Sequence, residues 1–252
     1  MPAYRLLAGS TDIGQYDVIG VDSESEAEFI RHVALSAIAV PGYNPTNSLT
    51  VTHMGPPFGV GDKSPAHAVG VLPLNEDEQE SIRLFINELR IEYLAAVERL
   101  RGRYRDSGKA TRYVELAQYC IHPHSSPFSR LIGDGTVQLR QFSCAGFIIE
   151  AYQEAGIDLL ITDETRLPTI DIDMLCAAYS DYATELRDPD FREKKNLQND
   201  GPWPVVLAGY LINALASVDQ AAANPRSSLP YQPLPGDGFF PPRRPIKRPV
   251  TK

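Results

Sequence analysis

Gln141-Phe-Ser-Cys-Ala-Gly-Phe-Ile-Ile-Glu-Ala-Tyr-Gln-Glu-Ala-Gly156 decides how the rest of this chain is read. Phe147, Ile148, Ala151, Tyr152 and Ala155 recur at helical spacing and mark one apolar face. Ser143 suits the N-cap, and Gly156 suits the left-handed residue that ends a helix. Cys144 then falls in the first turn, where unpaired N–H groups and the helix dipole favour a thiolate. A thiolate is a nucleophile, so the pattern points to a cysteine hydrolase or acyltransferase. The competing reading is a cysteine that only packs, since cysteine is among the most buried residue types.

Outward from that helix the chain mixes both kinds of element. Tyr16 to Val21, Ser48 to His53 and His67 to Leu72 read as short strands. Asn75 to about Leu100 reads as a long helix, with Ile82, Phe85, Ile86, Leu89, Tyr93, Val97 and Leu100 at helical spacing and acidic residues at its start. Ser23 to Val40 reads as a helix on the stripe Phe29, Ile30, Val33, Ala34, Ala37 and Ile38. Gly55 to Gly59 and Gly61 to Pro65 read as turns, and His122 to Gln141 as turn-rich. Thr111 to Cys120, Pro168 to Leu186 and Trp203 to Ala216 read as helical. The expected class is α+β, a small antiparallel sheet carrying histidines and packed on the helix that carries Cys144.

The 252 residues fit one domain, 1–222, followed by a tail, 223–252, crowded with proline and basic residues. Such a tail is expected to be disordered or polyproline-like, and Pro241-Pro-Arg-Arg-Pro245 suits a proline-recognition partner. A net charge of −8 and a pI near 5.2 argue against nucleic acid as a partner. Three cysteines without a close pair form no disulfide framework. The first residues lack an apolar run long enough for a signal peptide, and no run approaches the ~20 apolar residues of a membrane span. Together these predict a cytoplasmic protein with no integral membrane segment.

Phe142-Ser-Cys-Ala-Gly-Phe147, followed by Tyr152 and Ala155-Gly-Ile157, resembles the nucleophile motif of the NlpC-type papain-like cysteine hydrolases, with Ala145 where those usually carry serine. All five histidines, His32, His53, His67, His122 and His124, precede Cys144. That order resembles the circularly permuted amidases of the YiiX/YaeF kind, over roughly residues 15 to 160. The resemblance implies a permuted papain-like fold and a cysteine amidase or peptidase acting on a peptide, amide or acyl substrate without cofactor or metal. It implies Cys144 as nucleophile, His53 as base and His67 as the residue that orients it. Arg31-His-Val-Ala-Leu35 also resembles a catalytic strand, and with His32 as base His53 becomes the orienting residue. Two other functions stay open. One is a catalytically inactive papain-like scaffold that works as an interaction module through the tail. The other is a lipid acyltransferase of the lecithin-retinol type.

Other clusters carry less. Cys120-Ile-His-Pro-His124 has ligand-like alternation but no clear fourth zinc ligand, and reads as a loop. Asp171-Ile-Asp173 lacks the glycine and downstream glutamate of a calcium loop.

Overall fold

The structure, a computed structural model, describes residues 10–21, 32–55, 58–101, 107–120, 126–132, 135–159, 167, 169–178, 182–195, 197, 199–206, 208, 211, 212 and 215. The 223–252 segment and its proline motif lie outside them. The architecture is α+β. A five-stranded antiparallel sheet runs in the order β6-β5-β3-β2-β7, built from β2 (Val18–Val21), β3 (His32–Ser36), β5 (Ser48–Met54), β6 (Phe58–Pro65) and β7 (Ala68–Gly70). Two short strands, β1 (Thr11–Ile13) and β4 (Val40–Tyr43), pair with each other.

The sheet is apolar on both faces. On one side Val18, Val33, Leu35, Met54 and Ala68 pack in a single core with α1 (Glu76–Arg101) and α3 (Cys144–Glu154). On the other, Ile19, Ala34, Leu49 and Val51 pack with Ile13 and Tyr43 of β1 and β4. Burial on both faces explains why 33–36 is a strand and not part of the helix that its stripe suggested. Val33, Ala34, Leu35 and Ser36 are all inaccessible to solvent, and a central strand reads as a continuous apolar run that periodicity cannot separate from a buried helix. Residues 23–31 of the expected helix lie outside the described residues.

The long helix forms where its spacing predicts. Its N-terminus is a reciprocal box: Asn75 Oδ1 accepts the Glu78 N–H at 2.9 Å and the Glu78 carboxylate accepts the Asn75 N–H at 2.8 Å. That exchange lets Glu78 be buried. Helix α2 (Ser107–Gln118) follows. The segment that reads as turn-rich holds instead an antiparallel hairpin, β8 (Ser126–Ile132) and β9 (Gly135–Gln141). Arg140 ties β9 to α1, its Nε 3.0 Å from Glu92 Oε2. Short elements complete the chain: β10 (Thr169–Ile170), α4 (Ile172–Ala178), α5 (Ala183–Leu186), α6 (Pro189–Lys194) and β11 (Trp203–Pro204). Trp203, where a final helix was expected to start, pairs with Ile170 in a strand. Ala208, Leu211, Ile212 and Leu215 are helical and buried in the main core. No helix among the described residues is long and apolar enough to cross a membrane.

One buried carboxyl holds the entry to β2. Asp17 is 4% exposed, and its Oδ2 accepts the Gly14 N–H at 2.7 Å. Burial pushes this carboxyl up to about 6, against the pull of that hydrogen bond. The folded state therefore holds a proton between about pH 4 and 6 that the unfolded state has released, and stability falls as pH rises across that window. Above it the ionised group is a standing cost of order 1–3 kcal/mol. Asp17→Asn keeps an acceptor for Gly14 and removes the charge. It is expected to raise the melting temperature at pH 7.5, with the gain shrinking as the pH is lowered towards 4. Thermal melts of both proteins across that range check this, and a gap that does not vary with pH would refute it.

Candidate functional site

Helix α3 starts as its sequence predicts. Ser143 is the N-cap, with extended backbone, and its Oγ accepts the Gly146 N–H at 2.9 Å. The other end closes on Gly156 at φ +72, with Ile157 N–H on Tyr152 O at 2.9 Å and Gly156 N–H on Gln153 O at 2.8 Å. These are the paired bonds of a Schellman motif. The helix is fixed to the sheet by Tyr152, whose hydroxyl donates to the Tyr16 carbonyl at 2.8 Å. Tyr16 itself sits at φ +65 in the turn before β2.

Cys144 is 8% exposed. Burial pushes its thiol up, opposed by hydrogen bonding from the backbone N–H groups of Val33, Ala145 and Cys144 itself. The helix start therefore does not leave a resting thiolate: desolvation outweighs the N–H groups aimed at the sulfur. The Val33 N–H belongs to the peptide that joins His32 to Val33, so the sulfur reaches β3 at its first peptide. Among the described residues no hydrogen bond joins the sulfur to an imidazole.

The structure brings His32 and His53 together. His32 Nε2 and His53 Nδ1 lie 2.9 Å apart, with the rings edge to face at 5.0 Å. His53 Nε2 is in turn 3.1 Å from Asp62 Oδ2. The sheet makes this row. Leu35 faces Thr52 across β3 and β5, so one step further Ala34 faces His53, and His32 lies two residues beyond on the same face, the one that Ala34 and Val51 share and that lies away from α3. Burial, and behind it the repulsion that a second protonated imidazole at His53 would exert, pushes His32 down to about 4, so its imidazole is neutral at neutral pH.

His67 is not part of this row. It precedes β7, and its N–H donates to Gly20 O at 2.9 Å. Strands β2 and β3 separate it from β5, and three strand steps amount to about 14 Å. It therefore does not orient His53 in this structure. The residue against His53 on the far side is Asp62, which the sequence reading passed over because Gly61-Asp-Lys-Ser-Pro65 looks like a turn. The signal was there in Gly59 and Gly61: isolated glycines in a strand mark bulges and close approaches.

The remaining clusters are structural or fall elsewhere. Asp171 Oδ1 accepts the Met174 N–H at 2.8 Å at the start of α4, and Asp173 pairs with Arg187 at 2.9 Å. Cys120 is a buried free thiol, as is Cys176. His122 and His124 lie outside the described residues, and among the described residues no group of three or more His, Cys, Asp and Glu side chains could hold a metal.

Compared with family models, curated proteins and solved structures, the chain matches none.

Proposed function

We propose that this protein is a cysteine hydrolase of the amidase or peptidase type, built on a circularly permuted papain-like fold. The observation that carries the reading is the meeting of Cys144 with the first peptide of β3, whose first residue, His32, is hydrogen-bonded to His53. A nucleophile needs a base, and the base needs a third group to orient it. In this reading His32 is the base and His53 the orienting residue.

The Cys144 thiol attacks the carbonyl carbon of an amide, ester or thioester while His32 takes its proton. The oxygen of the tetrahedral intermediate faces the start of α3. There the N–H groups of Cys144 and Ala145, aimed at the sulfur in the resting site, have no backbone acceptor, whereas that of Gly146 is occupied by Ser143. Collapse expels the amine, alcohol or thiol, protonated by His32, and leaves a thioester on Cys144. Water, deprotonated by His32, then hydrolyses it. A neutral thiol and a neutral imidazole make this a general-base mechanism and not one with a preformed thiolate–imidazolium pair.

The test is acyl capture. The full chain incubated with p-nitrophenyl acetate is expected to carry an acetyl thioester on the Cys144 peptide, and Cys144→Ala is expected to lose p-nitrophenol release down to the background. Acetylation of Cys120 or Cys176 in preference to Cys144, or unchanged release by the variant, would sink the reading. A second reading, an inactive scaffold of the same fold, is favoured by two observations: the sulfur is buried and makes no imidazole hydrogen bond, and the strand alternation puts His32 and His53 on the sheet face away from α3. It expects no acyl adduct at all.

A further inference from the structure

We infer that Asp62 is a positioning residue that sets the tautomer of both histidines and so leaves the Nδ1 lone pair of His32 as the basic atom. The inference rests on the hydrolase reading for its use in catalysis, but the proton arrangement follows from the geometry of two neutral rings beside a carboxylate.

A carboxylate only accepts hydrogen bonds. With Asp62 Oδ2 3.1 Å from His53 Nε2, that nitrogen carries the His53 proton. With His53 in its neutral form the ring carries one proton, so His53 Nδ1 is then an acceptor. Its partner at 2.9 Å is His32 Nε2, which must therefore be the donor. His32 has then spent its one proton on Nε2, and Nδ1 keeps the free lone pair. A carboxylate on a surface strand thus dictates, through two rings, which nitrogen of a half-buried histidine can accept a proton.

The strand is shaped for this contact. Across β5 and β6 the register runs His53↔Gly59 and Thr52↔Val60, then skips to Val51↔Asp62. The extra residue is Gly61, at φ +83, a conformation that glycine adopts without cost. Regular pairing would set Asp62 opposite Thr50, on the face of β5 away from His53. The bulge moves it opposite Val51, on the face that carries His53. Lys63 takes the place opposite Thr50, and its Nζ donates to Thr50 Oγ1 at 2.6 Å. Directly opposite His53 stands Gly59, where a Cβ would collide with both the His53 ring and the Asp62 carboxylate. A bulge glycine and a glycine that leaves room for the pair are two independent adjustments that serve the same contact. An ordinary surface ion pair requires neither.

The experiment is nitrogen NMR of the full chain labelled with ¹⁵N-histidine, on wild type, Asp62→Asn, Asp62→Ala and Asp62→Glu, alongside hydrolysis of p-nitrophenyl acetate. Wild type is expected to show both His32 and His53 protonated on Nε2. Asparagine can offer an N–H to His53 Nε2. Asp62→Asn is therefore expected to move both rings towards the Nδ1–H form and to lower kcat by about 10- to 100-fold with little change in KM, because the base then holds its proton on the wrong nitrogen. Asp62→Ala removes the bias, and Asp62→Glu is expected to restore the wild-type tautomers and most of kcat. Side-chain exposure of 54% at Asp62 makes loss of the fold an unlikely confounder, which a thermal melt checks. His32 protonated on Nδ1 in wild type, or tautomers that ignore the Asn substitution, overturns the inference. A wild-type chain without Cys144-dependent hydrolysis would sink the hydrolase reading, while the nitrogen spectra would still decide what Asp62 does.

Discussion

Replacing His32 by alanine is expected to lower Cys144-dependent ester hydrolysis by about 10²- to 10⁴-fold, the usual contribution of a positioned general base. The loss should be near the upper end. Burial raises the Cys144 thiol above its ordinary range, so little thiolate forms without a base to take the proton. Replacing His53 should cost less, because it acts through His32 and not on the thiol. The pH profile carries an independent mark. His32 is pushed down to about 4, so it stays unprotonated through the weakly acidic range, and the acid limb of kcat/KM should fall near pH 4 and not near the ordinary imidazole value. Steady-state kinetics of the two alanine variants and of wild type from pH 4 to 8 check these points. A larger loss in His53→Ala than in His32→Ala would return the base to His53. Unchanged rates in both would remove the histidines from the reaction.

Why His32 was harder to read than Cys144 has a physical basis. The start of α3 is local: a cap, a helical stripe and a terminating glycine all lie within Gln141 to Gly156, and the structure keeps each of them. Helix α1 is legible for the same reason. His32 belongs to a strand whose character is non-local. Its neighbours are buried from both sides by two separate clusters, and only the assembled sheet shows that. The run Val33-Ala-Leu-Ser36 satisfies a helical stripe just as well. Asp62 was hidden in another way. Gly59 and Gly61 look like turn residues, and they occur here inside the eight-residue strand β6, one leaving space and the other forming a bulge. The contact between His53 and Asp62 depends on a register skip that no local pattern states. The hairpin β8–β9 was lost because its turn residues outweighed the alternation on either side.

Phe147→Ala is expected to be among the most destabilising single substitutions in the chain, at about 3–5 kcal/mol. Phe147 lies one turn after Cys144 and is fully buried. Its ring meets Phe58 of β6 at 5.7 Å edge to face, Phe85 of α1 at 6.0 Å stacked, and Phe142, just before α3, at 6.4 Å edge to face. Phe85 also meets Phe142 at 6.1 Å, with the Arg140 guanidinium 5.4 Å from the Phe85 ring centre. The four rings join the sheet edge, the long helix and both sides of the Cys144 turn. Truncation removes three ring contacts, each worth about 0.5–1.5 kcal/mol beyond burial, and opens a cavity that three separate elements would have to collapse together to fill. Against a total of roughly 5–15 kcal/mol for a folded domain, that loss is a large share. Phe147→Leu should cost much less, because it keeps most of the apolar volume. The loss has a local consequence too: with its first turn no longer pinned, α3 should expose the Cys144 sulfur, and iodoacetamide should modify Cys144 faster in native Phe147→Ala than in wild type at the same pH. Urea unfolding gives the first quantity and peptide-resolved alkylation the second. A destabilisation below about 1 kcal/mol would mean that the cluster is not packed to the density of a protein interior. Destabilisation with unchanged Cys144 reactivity would mean that the cap at Ser143, and not the aromatic cluster, holds the Cys144 sulfur in place.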